Sequence, residues 1–249
     1  MDAVVATVDP PNGVRFLAAF YRAHFLSGNF AKAALVAERR ADMLGSLRRL
    51  RDQGECMGWV ANALDDAGDV AGARKWTCRA RSLGEAHGFF SVEAAACHRL
   101  AKMDLDDGKI EEGMEMLRHT LKVTEFVEED SPQFKRCEVA VLLDVMEALF
   151  DHYPAERAEL DTMLARYEAA AKALSLRSGT LCSFEFLMHD FRAKLYKRRG
   201  KKEAYLEEFK TIQRLTRLHP LVAGQIVDMD HASGMVRSYL LDIRAQGLI

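Results

Sequence analysis

A chain of 249 residues is long for one compact core, and 49% hydrophobic with 29% charged residues marks it as folded and not disordered. A net charge of −2 gives no bulk attraction to polyanions. No apolar run approaches the roughly 18 residues that a membrane helix needs, and the stretch from Met1 to Pro11 lacks the basic opening of a secretory signal, so neither is expected.

After a tail expected over residues 1–12, Pro10-Pro11-Asn12-Gly13 marks a boundary and a first helix is predicted to about Ser27. Leu17, Phe20, Tyr21 and His24 fall on one helical face, and Gly28 closes the helix. The partner helix starts near Phe30 and carries Ala33, Ala34, Ala37 and Ala41 on one side, small enough for close helix approach. The next pair repeats the plan, with Met57, Val60, Ala61 and Leu64 inward, then Gly68-Asp69-Val70, then Val70, Ala73, Thr77 and Ala80 inward. The third has Cys97, Leu100 and Ala101, then Gly108-Lys109-Ile110, then Ile110, Met114, Leu117 and Leu121. Gly28, Gly68 and Gly108 are spaced at equal intervals, which signals a helical repeat. The segments Gly84 to Gly88 and Thr124 to Pro132 are expected to separate successive pairs.

Beyond residue 130 the glycine turn disappears. A helix is predicted over 134–150 with Val139, Leu142, Leu143, Met146 and Phe150 on its stripe, followed by Pro154 at a first turn and a partner helix over 158–174. A fifth pair carries Phe186, His189, Ala193 and Tyr196, ends its first helix at Gly200, and turns Tyr205, Phe209, Ile212 and Leu215 inward from its second. Val236, Leu240 and Ile243 suggest a capping helix after Pro220, as a stack of repeats needs at its end.

These residues resemble the tetratricopeptide repeat. With Gly68 as position fifteen, the second unit supplies Met57, Val60-Ala61, Leu64, Gly68-Asp69-Val70, Ala73 and Ala80 at the family's positions. The pattern departs from the family at Asp104, where an aromatic is expected, and at Tyr21, where a small residue is. The long period is similar to the variants of kinesin light chains and LGN-type scaffolds. The resemblance implies an all-α fold: a right-handed solenoid of about five helix pairs plus a cap, as one domain over 13–249. Units are expected at about 14–52, 53–89, 90–130, 131–176 and 178–219, with the cap at 221–246.

The resemblance also implies a concave groove lined by the first helix of each pair. Transferred position by position, it gives Arg15, Arg22, Asn62, His98, Arg99 and Lys102 as partner-binding candidates, with Arg22, Asn62 and Lys102 at the same place in successive repeats. A row of donors there suits a carboxylate or an acidic peptide. Of the family's chaperone-tail clamp only Arg99 is present, Ala18, Arg22, Trp59 and Ala95 standing at the other positions. A second candidate surface is the basic run Arg192, Lys194, Lys197, Arg198, Arg199, Lys201 and Lys202, whereas residues 100–130 are acidic. The run lacks the interleaved aromatics of single-strand binders, so nucleic acid is a poor match.

No sequence pattern for hydrolase, phosphate-loop or dinucleotide chemistry occurs, so no enzyme activity and no cofactor is expected. The carboxylates Asp104, Asp106, Asp107, Glu111, Glu112 and Glu115 lack calcium-loop spacing and read as a solvated rim, while His87, His98, His152 and His189 stand singly. Cys56, Cys78, Cys97, Cys137 and Cys182 are odd in number and widely spaced, so no metal site is expected but rather small buried thiols in a reducing cytoplasm or nucleus. The expected function is a non-enzymatic scaffold gripping a partner peptide or helix. The alternatives are a structural subunit using convex and terminal surfaces, or a regulatory repeat domain of a sensor.

Overall fold

The computed structural model describes residues 10–126, 132–153, 157–178 and 183–218, with the single positions 241 and 244. The described chain forms ten helices. They are α1 (Pro10–Leu26), α2 (Phe30–Ser46), α3 (Leu50–Asp66), α4 (Val70–His87), α5 (Phe90–Asp106), α6 (Ile110–Glu125), α7 (Pro132–His152), α8 (Arg157–Ser178), α9 (Ser183–Arg198) and α10 (Lys202–Leu218). They belong to two compact units, Met1–Glu129 and Asp130–Ile249, each taken here by itself.

The first unit has a finer rhythm than the glycine spacing announces. Its helices begin at residues 10, 30, 50, 70, 90 and 110, so the turns between pairs match the turns within them. Each turn has one residue at positive φ: Gly28, Arg48, Gly68, Gly88 and Gly108. The hydrogen bonds explain the uniformity. The amide of Gly68 donates to the Asp65 carbonyl at 2.8 Å and that of Asp69 to Leu64 at 2.8 Å, and the same pair recurs at Gly28–Asn29, Arg48–Arg49 and Gly108–Lys109. This is the Schellman closure, which satisfies the last carbonyls of one helix and aims the chain into the next. Among the N-cap residues of α2 to α6, only Asp69 adds a side-chain bond, accepting from the Gly72 amide at 2.9 Å.

Packing follows the apolar stripes. Leu17, Tyr21, Ala33, Ala34, Ala37 and Ala41 are buried in one core that Cys56, Val60 and Ala63 of α3 continue, and Ala61 is buried as well. Cys97, Leu100, Ala101, Met114, Leu117 and Leu121 do the same between α5 and α6. Each fully buried Leu contributes about 1.5–3 kcal/mol relative to exposure. Buried Thr77 and Thr120 donate their hydroxyls to the carbonyls of Ala73 and Met116, each at 2.8 Å, so neither carries an unpaired polar group inward.

Three expectations change. Phe20 is 37% and Val70 48% exposed, because Val70 opens α4 beside its turn and Phe20 faces away from the contact with α2 and α3. Gly84 lies inside α4 and is no breaker: a Cβ there would stand 2.8 Å from the Glu93 backbone nitrogen, so the glycine lets α4 and α5 touch. The helix also starts earlier than the expected tail boundary, α1 beginning at Pro10.

In the second unit α7 packs with α8 and α9 with α10, while α9 also meets α7 and α8. Val139, Leu142, Leu143 and Met146 of α7 are buried, as are Phe186, Ala193, Ile212 and Leu215; Phe150, His189, Tyr196, Tyr205 and Phe209 are half-buried. Pro154, Pro220, Cys182 and the expected cap with Val236, Leu240 and Ile243 lie outside the described residues.

Candidate functional site

The first helices of the three pairs in the first unit, α1, α3 and α5, are joined on one face by a chain of aromatic and charged contacts. Tyr21 of α1 stacks on Trp59 of α3 with ring centroids 5.0 Å apart, and its hydroxyl donates to the Trp59 carbonyl at 3.4 Å. Phe25, one turn on, stacks on Tyr21 at 5.5 Å and meets Phe30 edge-on at 5.3 Å. The Arg40 guanidinium lies 4.4 Å from the centroid of the Trp59 ring and also donates to the Val14 carbonyl. Such ring pairs add about 0.5–1.5 kcal/mol beyond their area burial, which fixes the spacing of α1 and α3.

Arg99 of α5 completes the chain. It is half-buried, and burial lowers its pKa from the ordinary guanidinium value while the charges of Asp65, Asp66 and Tyr21 oppose that shift. A guanidinium stays protonated in this setting, so Arg99 is a fixed positive charge facing two carboxylates at the end of α3. The same burial, with Asp66 adding to it, pushes the Tyr21 hydroxyl up, so the tyrosine remains a neutral donor.

Asn62 lies three residues after Trp59 and Lys102 three after Arg99, the spacing that puts side chains about 5–6 Å apart along one helix face, whereas Arg22 is next to Tyr21 in the chain and lies about 100° round the helix from it. Arg15, Arg22 and Lys102 are exposed. Asn62 is half-buried, and its Oδ1 is a buried acceptor with no hydrogen-bond partner among the described residues. His98 is half-buried and engaged with a neighbour. Tyr21 and Trp59, which knit the face together, were not among the sequence candidates. The spacing signalled only that both lie on first helices, and the departure of Tyr21 from the small-residue rule was the visible clue.

The basic run of the second unit is largely engaged in holding helices together. Arg192 pairs with Glu168 at 2.7 Å and Glu208 at 3.5 Å, and Lys194 with Glu147 at 3.4 Å and Asp190 at 3.9 Å. Arg199 pairs with Asp161 at 2.8 Å, while Arg198 stacks 4.4 Å over Phe150 and donates to its carbonyl. His189 and Glu208 meet at 2.6 Å in the same network. Lys201 stands over Tyr196, and Lys197 and Lys202 are exposed. A sequence count of charge does not reveal these partners, which come from α7, α8 and α10.

The acidic rim divides similarly. Asp104 accepts from Arg74 of α4 at 2.7 Å and Asp107 at 2.9 Å, with Lys109 alongside Asp107 at 3.2 Å. An interhelical ion pair thus stands at Asp104 where the repeat pattern has an aromatic. Asp106, Glu111, Glu112 and Glu115 are exposed. Of the described cysteines, Cys56 and Cys97 are buried and Cys137 half-buried, but Cys78 is exposed, against the expectation of buried thiols throughout.

No family model matches the chain, and no curated protein matches it by sequence. Solved structures do. A kinesin-light-chain-type protein of Podosopora anserina with nearly identical TPR-like repeats superposes with a TM-score of 0.56 at 14% identity, covering 86% of this chain and 99% of that one. A second structure of that protein gives 0.54 at 16% identity, with 84% and 98% covered. BtubC (BKLC) from P. vanneervenii gives 0.62 at 13% identity, with 82% of each chain covered. No described helix is long and apolar enough to cross a membrane. The periodic turns, the apolar stripes and these superpositions together make this an all-α chain with the tetratricopeptide-like helical-repeat fold.

Proposed function

We propose that the chain is a non-enzymatic protein-interaction scaffold that holds an extended peptide or helix of a partner protein against the α1–α3–α5 face. The observation that carries this reading is Asn62. A buried, unpaired acceptor is costly, about 1–3 kcal/mol, unless something supplies a donor. Asn62 occupies the middle position of the row Arg22–Asn62–Lys102, and a rotation of its half-buried side-chain amide brings Oδ1 out to accept from a peptide amide. Exposed Arg22 and Lys102 on either side favour acidic residues in the same peptide through charge-assisted hydrogen bonds. Asp65 and Asp66 already face Arg99, so the free positive charge of the face lies with Arg22 and Lys102. The free thiols of the four described cysteines support a reducing compartment, cytoplasmic or nuclear.

The test is a display library of acidic and neutral peptides, selected on the wild-type chain and re-measured on Arg22→Glu/Lys102→Glu. Both substituted positions are exposed, so helicity by circular dichroism is expected to stay unchanged. Selected peptides are expected to be acidic and to lose at least about tenfold in affinity on the double variant, the effect of reversing two flanking charges. Equal affinity for both proteins would remove the face from consideration.

A further inference from the structure

Three potential ligand side chains converge between α5 and α6. Glu93 and Cys97 stand one turn apart on α5, and His119 reaches them from α6, with one ligand atom of each within 4.8 Å of the others. Glu93 and Cys97 are buried, and the His119 side chain is 44% exposed. The Nε2 of His119 lies 3.3 Å from Oε1 of Glu93.

We infer that Glu93, Cys97 and His119 form a binding site for a borderline divalent transition-metal ion, Zn²⁺ foremost, with a fourth position open to water or to a partner's side chain. The donor set decides the class of ion. A thiolate and an imidazole select zinc and its neighbours, whereas calcium and magnesium require oxygen-only cages. The geometry agrees. Zinc arms of about 2.0–2.1 Å to nitrogen and oxygen make a tetrahedral edge of about 3.3 Å, and an arm of about 2.3 Å to sulfur makes edges of about 3.6 Å. The His119–Glu93 separation already equals such an edge. The sulfur needs to approach by no more than about an ångström, a side-chain adjustment.

Access and neighbouring charge also fit. His119 borders an open hollow lined with Glu111, Glu115, Arg118 and Lys122, which gives the ion an entry path and keeps the fourth position wet. From α4, Arg81 and Glu85 face the cluster. They pair with one another at 2.7 Å, so the guanidinium that would oppose a cation is already countered by a carboxylate. On binding, the Cys97 S–H bond breaks, its proton passes to water and the sulfur lone pair forms the metal bond. Glu93 contributes a carboxylate oxygen, and His119 the lone pair of its neutral ring at Nε2. No electron changes hands.

The experiment titrates ZnCl₂ into chelator-treated full-length protein by calorimetry, with CoCl₂ as a spectroscopic stand-in. One saturable equivalent is expected, together with a thiolate-to-cobalt charge-transfer band in the near ultraviolet. His119→Ala, at a half-exposed position, is expected to weaken binding at least about tenfold, the minimum effect of losing even an outer-shell partner. Cys97→Ser is expected to abolish the cobalt band. If Cys97→Ser does not fold, His119→Ala and the wild-type band decide the matter. Absence of a saturable equivalent, undiminished binding by His119→Ala, or cobalt binding without a thiolate band would each overturn the site and leave an ordinary His–Glu ion pair above a buried thiol.

Discussion

Arg48 occupies a position that its four counterparts in the first unit give to glycine. It sits at φ 57 in the same hydrogen-bonded turn as Gly28, Gly68 and Gly108, with Gly88 also at positive φ. A side chain in the left-handed region costs about 1–2 kcal/mol, because Cβ crowds the neighbouring carbonyl. Arg48→Gly is therefore expected to raise stability by about 1 kcal/mol, the cost being partly offset by the larger chain entropy of glycine. The reciprocal change Gly68→Ala is expected to lower it by about the same amount; no heavy atom stands within 4 Å of its would-be Cβ, so the loss is purely backbone. Urea midpoints of the two variants measure both, and a lowered midpoint for Arg48→Gly would show that this turn does not need the left-handed residue. The contrast also explains what was readable. A glycine at a helix end advertises a left-handed turn, whereas an arginine there carries no such mark, so of the five turns the one at Arg48 alone went unannounced. Asp104 was visible as a departure from the pattern, but its partner Arg74 is thirty residues away and emerges only when α4 and α5 are packed.

At the scale of the element, stripes were legible where a helix buries one side and illegible where it buries several. In α2 and α6 the apolar positions repeat with helical spacing, and the predicted residues are buried except Ile110, which opens α6 and is half-buried. Helix α9 is different. Leu187, Phe191 and Leu195 are buried alongside the expected Phe186 and Ala193, because α9 meets α7, α8 and α10 and has little face left for solvent. The candidate face shows the same division: the row positions followed from repeat counting, but the Tyr21–Trp59–Arg99 chain depends on side-chain packing between helices far apart in sequence. Gly84 is the sharpest instance, since a glycine can mean either a helix end or a close crossing, and only the position of Glu93 decides. Gly84→Ala is expected to destabilise by about 1–3 kcal/mol through overpacking, against which the helix-propensity gain of alanine, about 1 kcal/mol, is smaller. The displaced backbone is that of Glu93, so this variant is also expected to disturb the Glu93–His119 pair. Thermal unfolding checks the first expectation and the His119 ring resonances in NMR the second; an unchanged melting temperature would mean that α5 yields at no cost.

At the scale of the whole molecule, what matters is how far along the chain each helix must look for its partners. In the first unit every helix packs chiefly on its sequence neighbours: α1 on α2, α2 on α3, α3 on α4, α4 on α5 and α5 on α6, with α3 also touching α5. Stability in such a stack is a sum of single-repeat and nearest-neighbour terms, so a run of repeats does not depend on distant chain to form its core. Leu17, Leu44 and Val60 share one buried cluster drawn from α1, α2 and α3, and Cys97, Leu117 and Leu121 are buried on α5 and α6. A chain ending at Glu129 is therefore expected to fold alone, with the helical circular dichroism of α1 to α6 and a cooperative urea transition. Its local contacts also predict fast folding, in the micro- to millisecond range typical of helical proteins rich in such contacts. It is expected to keep both the peptide selectivity of the α1–α3–α5 face and the Zn²⁺ equivalent, since every residue invoked for either lies before position 126. A fragment with helical signal but no cooperative transition would mean that the first three pairs need residues beyond 129 to order their core, and nearest-neighbour packing would then not be the principle that holds this chain together.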